Sequence, residues 1–344
     1  MLKNAPEAAE TLRTGGAAAA LALLAAAALG VYAAQGFFSA YVVTLLALLF
    51  LNVSLAVSLN ITNGLAGLFS LGHPAFMTLG AYVAAVLTYP PGRKDFMLPD
   101  LPTLLLENQL PLLPAILLAA LAAGAIAFLV GLPVLRLRGH YLAVATLGLI
   151  VIVQGLATNW TGLTRGGSGL NGIPRLTDVW WALGLAAVTV YAAWRLKFSS
   201  LGRAMMATRE NALAAECAGV STYRVRMTAF VLGAFFAAVA GALLAHLITV
   251  VTPKTYSIAL AFNLIAMVVI GGTGSITGAV VAAIALTVLS EAARPLEESL
   301  GLYGLSQVVV ALALIVVLFF RPYGLFGSGE PRLLRRLFSR ETGS

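Results

Sequence analysis

The sequence predicts an all-α, polytopic transmembrane helical bundle of about ten spans, with roughly eight to eleven compatible with the pattern. Three observations predict it. Hydrophobic residues make up 60% of the 344 and charged residues only 10%, whereas a soluble domain is nearer a quarter charged. The apolar residues fall in windows of about 20, the helix length that crosses a bilayer's hydrocarbon core. Lys and Arg gather at the ends of those windows.

The elements follow in order. The polar N-terminus, MLKNAPEAAETLRTGG, places residues 1–15 in the cytoplasm. The next run, Ala17–Ala34, lacks a convincing cleavage site and is followed at once by another apolar run. It therefore reads as a first span and not as a removed signal peptide. Spans are expected at 16–34, 38–59, 73–89, 111–131, 141–158, 178–195, 228–250, 256–271, 276–291 and 303–320. They form one transmembrane domain, 16–325, interrupted by a long polar loop at 196–227 and followed by a basic cytoplasmic tail, 326–344. The acidic segment 291–298 (EAARPLEE) reads as an external loop.

Charge sets the orientation. With both termini inside, the inner segments hold Lys3 and Arg13, Arg136 and Arg138, six basic residues between Arg195 and Arg226, and five from Arg321 onward. The outer segments hold Arg93, Lys94, Arg165, Arg175, Lys254 and Arg294. The excess is inside, as basic residues distribute in membrane proteins. Five spans before residue 160 and five after would make two halves of opposite orientation, the plan of inverted-repeat transporters, although no strong internal repeat supports it.

Composition removes several function classes. The net charge of +8 follows from span ends, not from a basic aromatic patch, so nucleic acid is not a partner. One cysteine, Cys217, permits no intrachain disulfide and no thiol metal cluster. His73, His140 and His246 show no metal-ligand spacing, and no nucleophile constellation is indicated. Carboxylates lie almost wholly at span ends, which argues against a proton pump or a charge-selective channel.

Three glycine-rich segments need a reading. Asn60–Tyr82 sets Gly64, Gly67, Gly72 and Gly80 among Asn60, Asn63, Ser70 and His73, and Pro74 starts or bends a helix. Irregular backbone at membrane depth must face protein or a water-filled cavity, so this is either a broken helix lining a pathway or close packing through small residues. Gly271–Gly278 (GGTGSITG) lacks the Lys-Ser/Thr of a phosphate-binding loop and reads as a tight connection. Gly167–Gly172 satisfies G-x-G-x-x-G without a preceding strand and reads as an external turn.

The polar loop is the most informative stretch. Arg195–Arg226 carries a helix-forming centre from about Leu201 to Ala218, with Gly219 as its stop. On it, Arg209, Glu210 and Glu216 face solvent or a partner, while Ala204, Met205, Ala212, Leu213 and Ala215 supply a small apolar face. A docking helix and a surface helix on anionic lipid both fit.

The run RENALAAECAG at 209–219, followed by AFVLGAFFAAVAGAL, resembles the cytoplasmic coupling loop of ABC-importer permeases, and more narrowly the LivM type of branched-chain amino-acid permease. GLAGLFSLGHPAF at 64–76, RLRGHYLAVATLG at 136–148, GGSGLNGIP at 166–174 and VIGGTGSITGAVVAA at 269–283 resemble the same family. The resemblance implies a permease in the inner (plasma) membrane that binds no cofactor and is not itself an enzyme. ATP is used by partners: two cytoplasmic ATPase subunits, working with a sister permease and a periplasmic or extracellular substrate-binding protein. It further implies that Arg209, Glu210, Asn211, Ala215, Glu216, Gly219 and Val220 couple to the ATPase, with Cys217 where the signature prefers Ala. Asn60, Asn63, Ser70, Gly72, His73, Gly271, Gly272, Thr273 and Gly274 are the pathway candidates, and no metal site is expected. A permease for urea, short amides or another small polar metabolite, and an autonomous carrier or channel, remain as alternatives. An intramembrane enzyme is the least supported.

Overall fold

A backbone in hydrocarbon has no water to bond to, so an apolar window is stable only as a helix that satisfies its own N–H and C=O groups. The computed structural model describes residues 25, 27–98, 101–137, 139–301, 304–327 and 329–330. The expected segment 1–15, most of the first span and most of the tail lie outside the described residues.

After a helical stretch over 27–37, the helices are α1 (Ala40–Asn60), α2 (His73–Thr88), the short α3 (Pro91–Met97) and α4 (Thr103–Glu107), α5 (Leu112–Val134), α6 (His140–Asn159) and α7 (Thr161–Thr164). They continue as α8 (Val179–Lys197), α9 (Ser200–Glu210), α10 (Ala212–Cys217), α11 (Thr222–Ile248), α12 (Ile258–Gly271), α13 (Ile276–Leu300) and α14 (Leu305–Phe320). Among the described residues, six helices are long and apolar enough to cross a membrane: α1 with its π turn, α5, α6, α8, α11 and α13. Three shorter apolar helices, α2, α12 and α14, accompany them. The chain is thus a polytopic helical membrane protein. Among the described residues, the one sheet pairs β1 (Leu170–Asn171) antiparallel with β2 (Val250–Val251), and β1 leads into no helix of a βαβ unit.

Two expected boundaries move. Segment 291–298 is helical, because α13 runs on to Leu300 through Pro295. Its Ala and Glu residues favour helix, and most of the segment is exposed. The loop expected at 196–227 ends early, because α11 begins at Thr222.

Lipid is as apolar as leucine, so helices associate through close packing and not through hydrophobic drive. The large side chains accordingly point out: Leu121, Leu129, Ile152, Val188, Leu312 and Phe319 are exposed. The interior is small: Ala56, Ala75, Ala81, Ala119, Ala237 and Ala240 are buried. At the centre α11 packs on α2, α5 and α1. The α2–α11 crossing is backbone against backbone. A Cβ added to Gly80 would lie 2.2 Å from Ala238 O, and one on Gly241 would lie 2.3 Å from Met77 O. Polar stitches add to this crossing, Thr88 with His246 (2.7 Å), and join other pairs, Ser54 with Thr189 (2.8 Å) and Asn52 with Thr287 (3.1 Å). Such bonds average only about 0.6 kcal/mol in membranes, so the close crossing carries more of the stability.

Lateral hydrogen bonds define two ends of the bundle. At one, Arg209 Nη1 donates to Gly64 O (2.7 Å), Lys197 Nζ to Gly274 O (2.6 Å) and Tyr223 Oη to Leu132 O (3.1 Å). At the other, Arg93 Nη1 donates to Gly172 O (2.5 Å), Gln109 Nε2 to Thr88 O (3.0 Å) and Tyr41 Oη to Glu291 (3.4 Å). Lys94, at that second end, is buried and donates to Leu105 O (2.6 Å) and Asn108 O (2.5 Å). Burial holds its pKa below the usual lysine value.

Replacing Gly80 or Gly241 by Val forces α2 and α11 apart and is expected to cost about 1–3 kcal/mol or more, read as a lower thermal midpoint in detergent. Gly148→Ala and Gly155→Ala on α6, where a Cβ meets open space, serve as controls and should leave the midpoint unchanged or raise it. Equal midpoints for all four variants would contradict the close crossing.

Candidate functional site

The site begins where α1 fails to finish as an α-helix. Residues Ile61–Leu65 form a π turn, irregular chain follows, and α2 starts at His73 with Pro74 in its first turn. Such an ending leaves carbonyls without helical donors, and π turns concentrate at functional sites. Polar groups around the break are bonded both locally and from elsewhere in the sequence. Asn60 Oδ1 accepts from Gly274 N (2.8 Å) and its Nδ2 donates to Ser275 O (2.8 Å). Asn63 closes the break locally, with Nδ2 donating to Ser70 O (3.0 Å) and Oδ1 accepting from Ser70 N (3.1 Å). Thr146 of α6 accepts from Leu71 N (3.0 Å).

The structure therefore brings the two expected groups of pathway candidates together. Asn60 bonds the turn that holds Gly271, Gly272, Thr273 and Gly274. Gly271 backs onto Gly278, where a Cβ would lie 2.4 Å from Gly278 O, and Gly272 adopts φ +106°. Thr273 is exposed on the turn. Ser70 and His73 are buried, and His73 packs against Gly233, where a Cβ would lie 3.2 Å from its Cε1. Gly72 has φ −74° and room for a Cβ at ordinary contact distance from Thr146, so no close approach requires glycine there.

Arg209 ties this node to the polar loop. Its side chain lies over Gly67, where a Cβ would sit 2.6 Å from Arg209 Cγ, and its Nη1 is 2.5 Å from a Cβ placed on Gly274. Glycine at 274 leaves room for the guanidinium and glycine at 67 for the stem of Arg209, while a Cβ on Gly64 would meet the Asn60 side chain and Gly274 N; Gly67 and Gly274 also have positive φ. Nη1 then reaches Gly64 O, while Nη2 pairs with the exposed Glu210 (2.6 Å). This corrects the outward placement expected for Arg209: it turns inward because the broken helix needs a donor.

The single helix expected from Leu201 to Ala218 is also corrected. Asn211 is extended (φ −155°, ψ 105°) and divides it into α9 and α10. Its side chain accepts from Ala214 N (3.0 Å), so the residue that breaks α9 caps α10. Met205, expected on the small apolar face, is fully buried. At the far end of α10, Gly219 (φ +81°) donates to Glu216 O (2.9 Å) and Val220 N to Ala215 O (2.9 Å). These two bonds make a Schellman stop. Glu216 Oε1 accepts from Thr222 Oγ1 (2.5 Å), bracing α10 on α11. Between these anchors α10 stands free: Leu213 is 72% exposed, and Glu216, Cys217 and Ala218 are exposed.

Sequence reasoning passed over Lys197, Thr146, Thr222 and Glu330, which hold this region together. An acid set within a basic tail was the available signal for Glu330. It also passed over a groove of about 160 Å³ lined in part by Asn52, Asn263, Thr287 and Ser290, between α1, α12, α13 and α14. Among the described residues, no three His, Cys, Asp or Glu side chains are grouped so that they could hold a metal.

Comparison with known proteins places this geometry. Residues 41–319 match the family described as branched-chain amino acid transport system permease component. The chain is 32% identical over 315 residues to the LivM permease protein of the high-affinity branched-chain amino acid transport system of Escherichia coli, covering 82% of this chain and 69% of that one. It is 26% identical over 295 residues to the LivH permease protein of Salmonella typhimurium, covering 80% and 91%. It is 35% identical over 192 residues to the autoinducer 2 import system permease protein LsrC of Enterobacter, covering 51% and 54%. No solved structure matches the chain significantly. A polytopic bundle of small-residue contacts, with a braced and exposed loop helix at its basic end, is thus accompanied by a match over most of its length, and the chain belongs to the family of branched-chain amino acid transport system permease components.

Proposed function

We propose that this permease forms, with a sister permease, the inner-membrane pathway of an ABC importer for branched-chain or other hydrophobic amino acids. Two cytoplasmic ATPase subunits drive it, and a substrate-binding protein outside supplies the cargo. The names of the LivM and LivH relatives support the substrate class. The excess of basic residues at the α9–α10 end supports placing that end and both termini in the cytoplasm.

One observation carries the mechanism: the loop helix is exposed at its tip and clamped at its roots. We read α10 as the element that docks in a cleft of the ATPase, offering Leu213, Ala214, Glu216 and Cys217. Asn211 is the elbow, and Arg209 passes the motion to Gly64 and Gly274. Closure of the ATPases then shifts the π turn of α1 and the α12–α13 turn together, a rigid-body change between two packings. Asn60, Asn63, Ser70, Gly72 and His73, with Gly271, Gly272, Thr273 and Gly274, form the inner gate, a reading supported by the bonds of Asn60 and Asn63 to the backbone of 274–275 and of Ser70. Substrate passes without a tight site, because affinity resides in the binding protein.

A second reading keeps the machine and changes the cargo: urea, a short amide or another small polar metabolite. The similarity to an autoinducer 2 import permease supports it. The ligand of the partner binding protein separates the two readings.

Purification in mild detergent from the native host should recover a P-loop ATPase and a second polytopic permease with this chain. Recovery of the chain alone, active in liposomes without ATP, would identify an autonomous carrier. Arg209→Ala leaves Gly64 O unpaired, a loss of about 1–3 kcal/mol, and is expected to reduce uptake at least about tenfold while the chain still inserts; Arg209→Lys should retain part of the activity. Glu216→Lys and Gly219→Pro should abolish ATP-driven uptake and leave insertion intact, because proline cannot adopt φ +81° or donate to Glu216 O. Normal uptake in both would remove α10 from the coupling role.

A further inference from the structure

The chain beyond α14 makes contacts that docking by α10 does not require. It turns back under the α12–α13 connection. Leu325 N donates to Ile270 O (2.8 Å) and Phe326 N to Gly271 O (3.2 Å), meeting carbonyls that the end of α12 leaves open. Gly324 and Gly327 lie directly on Gly272: a Cβ on Gly324 would be 2.7 Å from Gly272 Cα, and one on Gly272 would be 2.3 Å from Gly327 O.

This strap delivers Glu330, whose side chain is only 2% exposed. Its carboxylate accepts from Ile276 N (2.7 Å), Thr277 N (3.2 Å), the Thr277 hydroxyl and Ser275 Oγ (3.4 Å). It thus caps the first turn of α13, where the helix dipole favours negative charge. The same carboxylate takes the ammonium of Lys197 at 2.6 Å. Lys197 is the last residue of α8, at the root of the α9–α10 loop, and also donates to Gly274 O (2.6 Å).

The loop is therefore gripped from both ends of α9. Arg209 reaches Gly64 and Gly274 from one end, and Lys197 reaches Gly274 and Glu330 from the other. With a single grip α9 can pivot about it, and a push on α10 is lost as rotation. With two, the push reaches α12 and α13. A buried ion pair is a poor device for stability alone, since apolar replacements often do as well, but it is a specific way to hold a geometry.

We propose that Glu330 and Lys197 are positioning residues for energy coupling: through them the C-terminal strap, the root of the coupling loop and the α12–α13 turn move as one body. The inference rests on the permease reading above. Its test uses the full complex in liposomes, with leucine-loaded binding protein as the probe. Leucine uptake, ATP hydrolysis and co-purification of the ATPase are measured on the same preparation.

Glu330→Gln and Lys197→Met are expected to bind the ATPase and hydrolyse ATP as wild type does, but to move about tenfold less leucine per ATP, within the usual range of coupling factors. The double variant should be no worse than either single, because the pair acts as one unit. Lys197→Arg should restore part of the ratio. Thr277→Val, which removes only a hydroxyl bonded to Glu330, should lower the ratio about two- to threefold; it decides the matter if the Glu330 variant does not accumulate. A wild-type leucine-to-ATP ratio in these variants overturns the proposal. So does a loss of uptake that merely tracks loss of assembled complex. Failure of the wild-type chain to assemble with an ATPase would instead sink the permease reading itself.

Discussion

An unpaired buried carbonyl is costly, and α1, by ending in a π turn before the chain has left the bundle, leaves Gly64 O to a donor from outside the helix. The arrangement of the loop end follows from that debt. Arg209 must turn inward to reach Gly64 O, and Asn60 must face the 274–275 backbone. Glycines must stand at 64, 67 and 274 so that these groups can approach. A regular helix through this region would leave Arg209 without its acceptor at Gly64 O, and the loop would lose that hold on α1.

The rest of the bundle is built to keep that node in place. Alanine and glycine at the α2–α11 crossing bring two backbones into contact, and α11 carries this precision directly from the loop end to the opposite end. The short helix α10 contributes no core of its own. It is fixed by Asn211 on one side, and on the other by the Gly219 stop and the Glu216–Thr222 bond. Rigid roots with an exposed middle suit an element that must transmit force.

Hydropathy and charge made the spans legible because both are properties of single windows. The same is true of Gly219, whose role as a helix stop is local. What could not be read were features set by distant partners. Arg209 reads as a surface residue until the carbonyl of Gly64 is brought beside it. Asn211 is the local exception: it reads as part of a helix because Ala and Glu flank it, yet its own capping bond to Ala214 divides the helix. Glu330 lies in a tail whose composition suggests only basic charge, and Lys197 looks like an ordinary inside-positive flank. Segment 291–298 misled for the opposite reason: its acids and proline suggest a loop, while α13 simply extends past the apolar zone.

The sequence separation of these contacts has a consequence for biogenesis. Asn60 and Gly274 are 214 residues apart, Arg209 and Gly64 are 145 apart, and Lys197 and Glu330 are 133 apart. A ribosome delivering spans to the membrane in order therefore releases α1 long before the distant partners of Asn60 and of Gly64 O are made, with only the local Asn63–Ser70 bonds to close the break. The half-made protein must shelter that end with water, lipid headgroups or an insertion factor, and Glu330 engages only when synthesis is nearly finished. A nascent chain stalled between residues 209 and 274 would carry an inserted α1 whose Asn60 side chain still lacks its partners at 274 and 275, a polar group that the completed chain satisfies.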